Sequence, residues 1–588
     1  MGTVRMTLRT HPVDVLVIGA GGAGVRAAIE AKQAGSEVLV LSKRSRLDAH
    51  TVLASGGINA ALGTRDPEDC WEQHFADTVK EGYFLGDPRI VETVVRDAPR
   101  AVRELAEWGC PFACTDGGDL DQRFFGAHRW RRTCYAGDWT GRAMMTTLAA
   151  KARQLDIPVI EDQYVARLLV IDGACFGALA FDLHDGSRTA FLADAVVLAT
   201  GGHTRLWRRS SSRRDENFGD GIHLAMQAGC RVKDLELVQF HPTGMVAPED
   251  AAGTLVTEAV RGEGGRLFNA AGERFMTRYD PARMELSTRD RVALANYTEI
   301  AEGRGGPNGG VFLDISHRGK SYILERLPRM YRQFIELQLL DISASPMEVA
   351  PTAHYTMGGL VVDPVTHATD VVGLFAAGEC TAGLHGANRL GGNSLTETVV
   401  YGRKAGAAAA AFVEGTDISL RPRSAIRDAD AELDALVKPG TELARPAQRH
   451  VRNLLWEHCG VVRTAAGLDA GLAELTSLRG VLPDIDVRPS AEGWGDLAQL
   501  LDLRAGIALA QATMLGALAR KETRGCHNRS DHPDLDPALQ VNFTARFADA
   551  AAGTLEPVTP EPVPPVPAEL HAWLEREWDA DLRGRLVE

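Results

Sequence analysis

Gly19-Ala20-Gly21-Gly22-Ala23-Gly24 stands between a short apolar run, residues 13–18, and a run with a small-residue helical face, residues 25–34. This G-x-G-x-x-G spacing suits the binding of a pyrophosphate. The first glycine makes a tight turn and the second lets the backbone reach the anion. The third lets helix lie against strand, and the helix N-terminus offers free N–H groups. A second chemistry is carboxylate recognition. Arg389 lies in Gly386-Ala387-Asn388-Arg389-Leu390-Gly391-Gly392, where glycines admit a ligand and a guanidinium gives a carboxylate two parallel bonds. The chain carries a net charge of −14, so an anion site has to concentrate cations locally. The same charge argues against nucleic acid. Nine cysteines include no C-x-x-C pair. They read as unpaired thiols in a reducing compartment, with no metal site and no iron–sulfur spacing.

The 588 residues exceed one core, so several units are expected. Residues 13–18 predict a strand, 25–34 a helix stopped by Gly35, and 38–41 a second strand: a βαβ unit. Further strands of the same domain are expected at 195–200, before Gly201-Gly202, and at 373–377. One nucleotide domain is thus assembled from distant segments. Residues 237–345 read as an insert. Helical periodicity follows at 405–412, 447–456 and 497–519. Prolines crowd 556–567, which predicts an extended linker rather than a core element, with a short helix over 568–577 after it. No run reaches the ~18 apolar residues of a membrane span, and the N-terminus shows no signal peptide.

The second strand ends in Ser42-Lys43, where an adenosine ribose usually meets an acidic residue. Gly373-Leu374-Phe375-Ala376-Ala377-Gly378-Glu379 resembles the flavoprotein signature in which a strand delivers an acid to the ribityl or ribose region. Both favour FAD over NAD. The expected fold class is α/β. A discontinuous FAD-binding Rossmann-like domain (1–236 and 346–418) carries an inserted α+β capping domain (237–345). A helical domain (419–530) and a C-terminal extension with the Pro-rich linker (531–588) complete it.

His50-Thr51-Val52, Gly56-Gly57-Ile58, Gln239-Phe240-His241-Pro242-Thr243-Gly244, Thr257-Glu258, Arg261-Gly262-Glu263-Gly264-Gly265, Arg289-Asp290, His354-Tyr355-Thr356-Met357-Gly358-Gly359 and the segment from His385 to Leu395 follow one another in a particular order. In that order they resemble the flavoprotein subunits of succinate dehydrogenase and fumarate reductase, a resemblance that continues to Arg524-Gly525-Cys526-His527. The resemblance implies FAD joined through its 8α-methyl to His50. Asp48-Ala49 stand where many relatives have Arg-Ser. It places His241, Thr257, His354 and Arg389 on a dicarboxylate, and gives proton transfer to Arg289 with Glu258 and Arg261. Besides Gly19 to Gly24, the FAD contacts it implies are Ser42, Lys43, Thr51, Ser55, Gly56, Gly57, Asp220, Glu379, Arg389, Ser394 and Leu395. Phe125 packs either over the substrate or in the core. Arg129, Arg131 and Arg132 read as facing FAD phosphates, substrate, a partner or solvent, with solvent or a partner preferred.

The implied activity is oxidation of succinate to fumarate by hydride transfer to FAD N5, or the reverse. Electrons would leave through an iron–sulfur subunit to membrane-anchor subunits and a quinone, at the cytoplasmic side of the cell membrane. The rival is L-aspartate oxidase: His50 speaks against it, and the short 126–141 segment for it.

Overall fold

The computed structural model describes residues 8–576, apart from Gly126, 417–420 and 491–492. Its centre is a seven-stranded sheet in the order Val159–Ile160, Val38–Leu41, Arg9–Ile18, Arg188–Leu198, Ala174–Asp182, Gln163–Ile171, with Leu374–Ala376 added beside Arg188–Leu198. The strands nearest the glycine turn run parallel. Val15 to Ile18 and Val38–Leu41 are wholly buried, and continuous apolar strands of this kind need cover on both faces.

The helix Gly22–Gln33 begins inside the glycine motif, earlier than the apolar pattern predicts, with Gly21 as its N-cap. It packs on the long helix Asn393–Gly415. A Cβ at Gly402 or Gly406 would overlap the carbonyl oxygen of Ala23 or Ala27, so backbone lies on backbone here. That contact fixes the start of the long helix, and with it Arg389 to Leu395, against the phosphate turn.

Four antiparallel strands, Val238–Met245, Met347–Thr356, Val311–Asp314 and Arg266–Phe268, form the insert's sheet. Met347–Thr356 thus carries the sheet past residue 345, where the insert was expected to end. The reason is packing: Met347 and Val349 are fully buried in the same core as Val311 and Leu313. The helix Arg289–Glu299 lies over this sheet. Ala444–His458, Ala465–Arg479 and Gly495–Ala519 then pack as a group of helices.

The Pro-rich segment is not simply a linker. Thr559–Pro562 pairs antiparallel with Val541–Ala545 at one end of a four-stranded sheet. Proline is tolerated at such a position because an edge strand needs only half its N–H groups. The helix expected over 568–577 appears as Ala568–Leu570 and His571–Leu574; residue 577 lies outside the described residues.

Within the arginine cluster, Arg132 departs from the expected solvent or partner face. The Arg132 side chain is fully buried, with Nη2 2.8 Å from both Asp69 Oδ1 and Asp77 Oδ2. Arg131 binds Asp66 at 2.6 Å, and the Arg129 N–H donates to Asp77. Nearby carboxylates outcompete water for the Arg131 and Arg132 side chains. Arg132→Met leaves two buried acids without their cation. It should lower unfolding free energy by about 3–5 kcal/mol, measured by denaturant titration.

Candidate active site

One cavity runs from the glycine turn to the insert. At its first end a Cβ on Gly24 would overlap the Gly19 carbonyl oxygen, and one on Gly19 the Ala199 carbonyl oxygen. Helix and strands meet that closely only with glycine there. A Cβ at Gly21 would meet nothing nearer than Thr51 Oγ1 at 3.6 Å, so this part of the turn is open to an anion. The Gly22 N–H reaches Thr51 Oγ1 at 3.2 Å. Lys43 Nζ sits 3.0 Å from Asp220 and 3.6 Å from Asp502. Burial opposes its charge, but the two carboxylates outweigh burial and raise its pKa. The Ser42 hydroxyl donates to the Arg44 carbonyl oxygen at 2.5 Å. Glu379 lies beyond Leu374–Ala376 and accepts from the Thr356 N–H at 3.1 Å. Burial pushes its carboxyl up to about 7. An open glycine turn leading to acidic and basic groups at the sheet ends fits a dinucleotide such as FAD.

His50, Thr51, Ser55, Gly56 and Gly57 line the middle of the cavity. The Phe125 ring lies against Gly56 and Gly391, where a Cβ would stand 2.5 Å and 2.7 Å from it. It faces this cavity, so its place is the site rather than the core alone. His50 Nδ1 is 2.8 Å from Glu216 Oε1. Asp48, just before it, pairs with Arg44 and Arg213.

At the far end two arginines converge. Arg289 Nη1 donates to Gln239 Oε1 at 3.2 Å and Arg389 Nη2 donates to the same oxygen at 3.0 Å. A neutral acceptor holds both cations together without cancelling either. Burial and Arg289 lower the Arg389 pKa to about 10. Arg389 Nη1 also reaches Ser394 Oγ at 3.1 Å, while its Nε is buried without a hydrogen-bond partner. The His241 and His354 rings meet edge to face at 5.3 Å. Thr243 pins the Nδ1 edge of His241 at 3.2 Å, and Ser211 Oγ lies 2.9 Å from His354 Nδ1. Thr257 lines the same end.

Arg289 grips Glu258 Oε2 through Nε at 2.7 Å and Nη2 at 2.6 Å. Arg261 Nη2 is 3.9 Å from the same carboxylate. The three thus stand in line, with Arg261 buried behind the cavity wall. Among the other residues picked out from sequence, Gly24 alone lies outside the lining. Sequence reasoning gives Gln239 no role of its own. Its parity with His241 on an extended strand nonetheless puts both on one face, and that signal could have found it. Glu216 had none, because it sits in an irregular loop.

Burial, then the neighbouring arginines, hold His241 well below the usual imidazole range, and burial, then the His241 ring and the arginines, do the same for His354. Both rings are neutral above pH 6.5 and gain a proton only under more acid conditions. The KM for a dicarboxylate should therefore show no inflection near pH 6.5 from either ring. An inflection there that vanishes in His354→Asn would overturn this.

Residues 14–395 match the family model described as FAD binding domain, and 448–569 the one described as fumarate reductase flavoprotein C-term. The chain is 43% identical over 533 residues to a subunit of the CoM/CoB fumarate reductase of Methanothermobacter marburgensis, covering 90% of this chain and 96% of that one. It is 37% identical over 579 residues to the succinate dehydrogenase flavoprotein subunit of Rickettsia conorii, covering 93% and 96%. Among solved structures, the apo Sdh1 complex of Mycobacterium smegmatis superposes with TM-score 0.88 at 38% identity, covering 96% and 97%. The FrdA chain of E. coli quinol fumarate reductase, solved as a point variant, gives 0.89 at 34%, covering 94% and 97%.

Proposed function

The chain belongs to the FAD-binding family of succinate dehydrogenase and fumarate reductase flavoproteins, and we infer that Arg289 and Arg389 hold a four-carbon dicarboxylate flat in this cavity while Arg289, Glu258 and Arg261 move its proton. The chain is an FAD-dependent oxidoreductase of succinate and fumarate, and L-aspartate oxidase is not favoured. The observation that carries the site reading is the convergence of two buried guanidinium groups on one neutral oxygen, in the cavity that also holds the pyrophosphate turn.

FAD, when bound, supplies the two-electron acceptor or donor for hydride transfer at N5. The chain aligns the substrate and manages charge and protons. Arg389 binds one carboxylate through its fork, and His241, His354 and Thr257 add neutral, directional bonds. A lone arginine is a poor base, because its pKa stays above the working range. Arg289 therefore works as a link: it carries the proton between substrate carbon and Glu258, and Arg261 completes the relay on the far side. The insert, which contributes His241, Glu258 and Arg289, closes the cavity over the substrate and keeps water out.

His50 attaches the flavin through its 8α-methyl. All nine cysteines are free and lack iron–sulfur spacing, so electrons pass to an iron–sulfur subunit, then to membrane-anchor subunits and a quinone. Among the described residues no helix is long and apolar enough to cross a membrane. The chain on this reading sits peripherally on the cytoplasmic side of the cell membrane through those partners. The 43% relative favours a second reading of direction: the same site reduces fumarate with electrons from CoM/CoB-type donors through a partner.

The test is purification from native membranes, with dye-coupled assays in both directions and a denaturing gel viewed under ultraviolet light. Dicarboxylate-dependent turnover and fluorescence migrating with the polypeptide are expected. Turnover with aspartate but not with succinate or fumarate would overturn the reading.

A further inference from the structure

Glu216 lies on a loop that clamps the residue two before His50. Arg213 Nη1 donates to the Asp48 carbonyl oxygen at 2.5 Å and also grips the Asp48 carboxylate. The Arg213 N–H turns back onto Glu216 Oε1 at 2.7 Å. Deeper in the loop, Asn217 Nδ2 donates to Ser212 Oγ at 2.9 Å, and Ser212 Oγ lies 2.8 Å from Thr204 Oγ1. The loop is therefore fixed, and it delivers Glu216 to His50. Glu216 is 7% exposed and its Oε2 is buried with no hydrogen-bond partner. Among the described residues, the imidazole is the one side chain hydrogen-bonded to it.

The ionisation state settles the tautomer. Burial resists charge on Glu216, but His50 and Arg213 outweigh it and hold the carboxyl down at about 2. An ionised carboxylate only accepts hydrogen bonds. The 2.8 Å contact therefore requires a proton on His50 Nδ1. Burial opposes charge on the ring, but Glu216 outweighs it and raises the imidazole pKa. Once Nε2 gives up its proton, the lone pair stands there with Nδ1–H still held by the carboxylate. His50 lines the cavity alongside Thr51 and the glycine turn.

We propose that Glu216 is the positioning residue for flavin attachment at His50: its carboxylate fixes the Nδ1–H tautomer and leaves the Nε2 lone pair to bond the flavin 8α-carbon. This rests on the covalent reading above and names the group that makes it work. The bond formed is Nε2–C8α. The bond broken is one methyl C–H, released as a proton, while Nδ1 keeps its hydrogen. The two electrons left on the flavin, with that proton and one from solvent, pass to fumarate, which becomes succinate. As Nε2 bonds carbon the ring becomes cationic, and the adjacent carboxylate stabilises that charge. The same carboxylate–imidazole logic orients catalytic histidines elsewhere.

The experiment uses the full chain, prepared free of flavin and incubated with FAD and fumarate. Intact mass after denaturation reads attached flavin, and acid release reads flavin bound without attachment. In Glu216→Gln the attachment rate per bound FAD should fall about tenfold or more, with bound FAD retained. Glu216→Asp should recover part of the rate, because a carboxylate is restored. Equal attachment rates in Glu216→Gln and the parent overturn the role of Glu216 and leave the covalent reading intact. Loss of bound and attached flavin in parallel, in both variants, also overturns it, since Glu216 would then serve only the loop's fold. No attachment in the parent, here and in the native assembly, sinks the covalent reading itself.

Discussion

Arg289→Ala lowers succinate-dependent dye reduction by about a thousandfold or more and leaves FAD binding unchanged. The expected loss follows from position and chemistry. Arg289 lies on the cavity wall opposite the glycine turn, grips Glu258 through two nitrogens, and shares Gln239 with Arg389. A positioned proton-transfer group contributes about 10²–10⁴ in rate. Removal also breaks the link between substrate and Glu258. Arg289→Lys should recover little, because one ammonium cannot bridge Gln239 and Glu258 as the fork does. Flavin absorbance after desalting checks retention, and single-turnover reduction by succinate reads the chemical step. Parent-like rates in the alanine variant would remove Arg289 from the mechanism.

Arg389→Met raises the KM for succinate by about 10²-fold. A charge-assisted hydrogen bond contributes about 1.5–3 kcal/mol, and losing a two-pronged contact costs about 3 kcal/mol or more, with each 1.4 kcal/mol worth tenfold. Methionine roughly keeps the volume of the arginine stem, so packing against Tyr355, whose ring lies 4.6 Å from the guanidinium carbon, changes little. The check is a comparison of succinate with its monoester. If Arg389 reads a second carboxylate, the preference for the dianion collapses in the variant. An unchanged preference would place the second carboxylate elsewhere.

The nucleotide half of the molecule was readable because its signals are local. A G-x-G-x-x-G between a strand and a helix is dictated by contacts that leave no room for Cβ, as Gly19 and Gly24 show. The second half of the site was readable only as a family resemblance. No spacing in the chain says that Arg289 and Arg389, a hundred residues apart, donate to one oxygen; two separate excursions of the backbone bring them there. Glu216 and the Arg132 pairs were missed for a related reason. Buried charge depends on which acid the fold delivers, and neither Asp69 nor Asp77 looks different in sequence from a solvated residue. The proline run was misread because its composition reports stiffness, while pairing with Val541–Ala545 depends on a distant strand.

That outermost strand has a consequence for how the molecule behaves among its own copies. Pro560 and Pro562 stand two apart, so their backbone groups face the same way, and neither has a hydrogen to give. Within Thr559–Pro562 only Thr559 and Glu561 retain an amide proton, and both have partners to serve on the inner side. An incoming strand from another chain would find acceptors but no donors along this border. This edge of the sheet is thereby a poor template for another chain's strand, which disfavours stacking of copies along it.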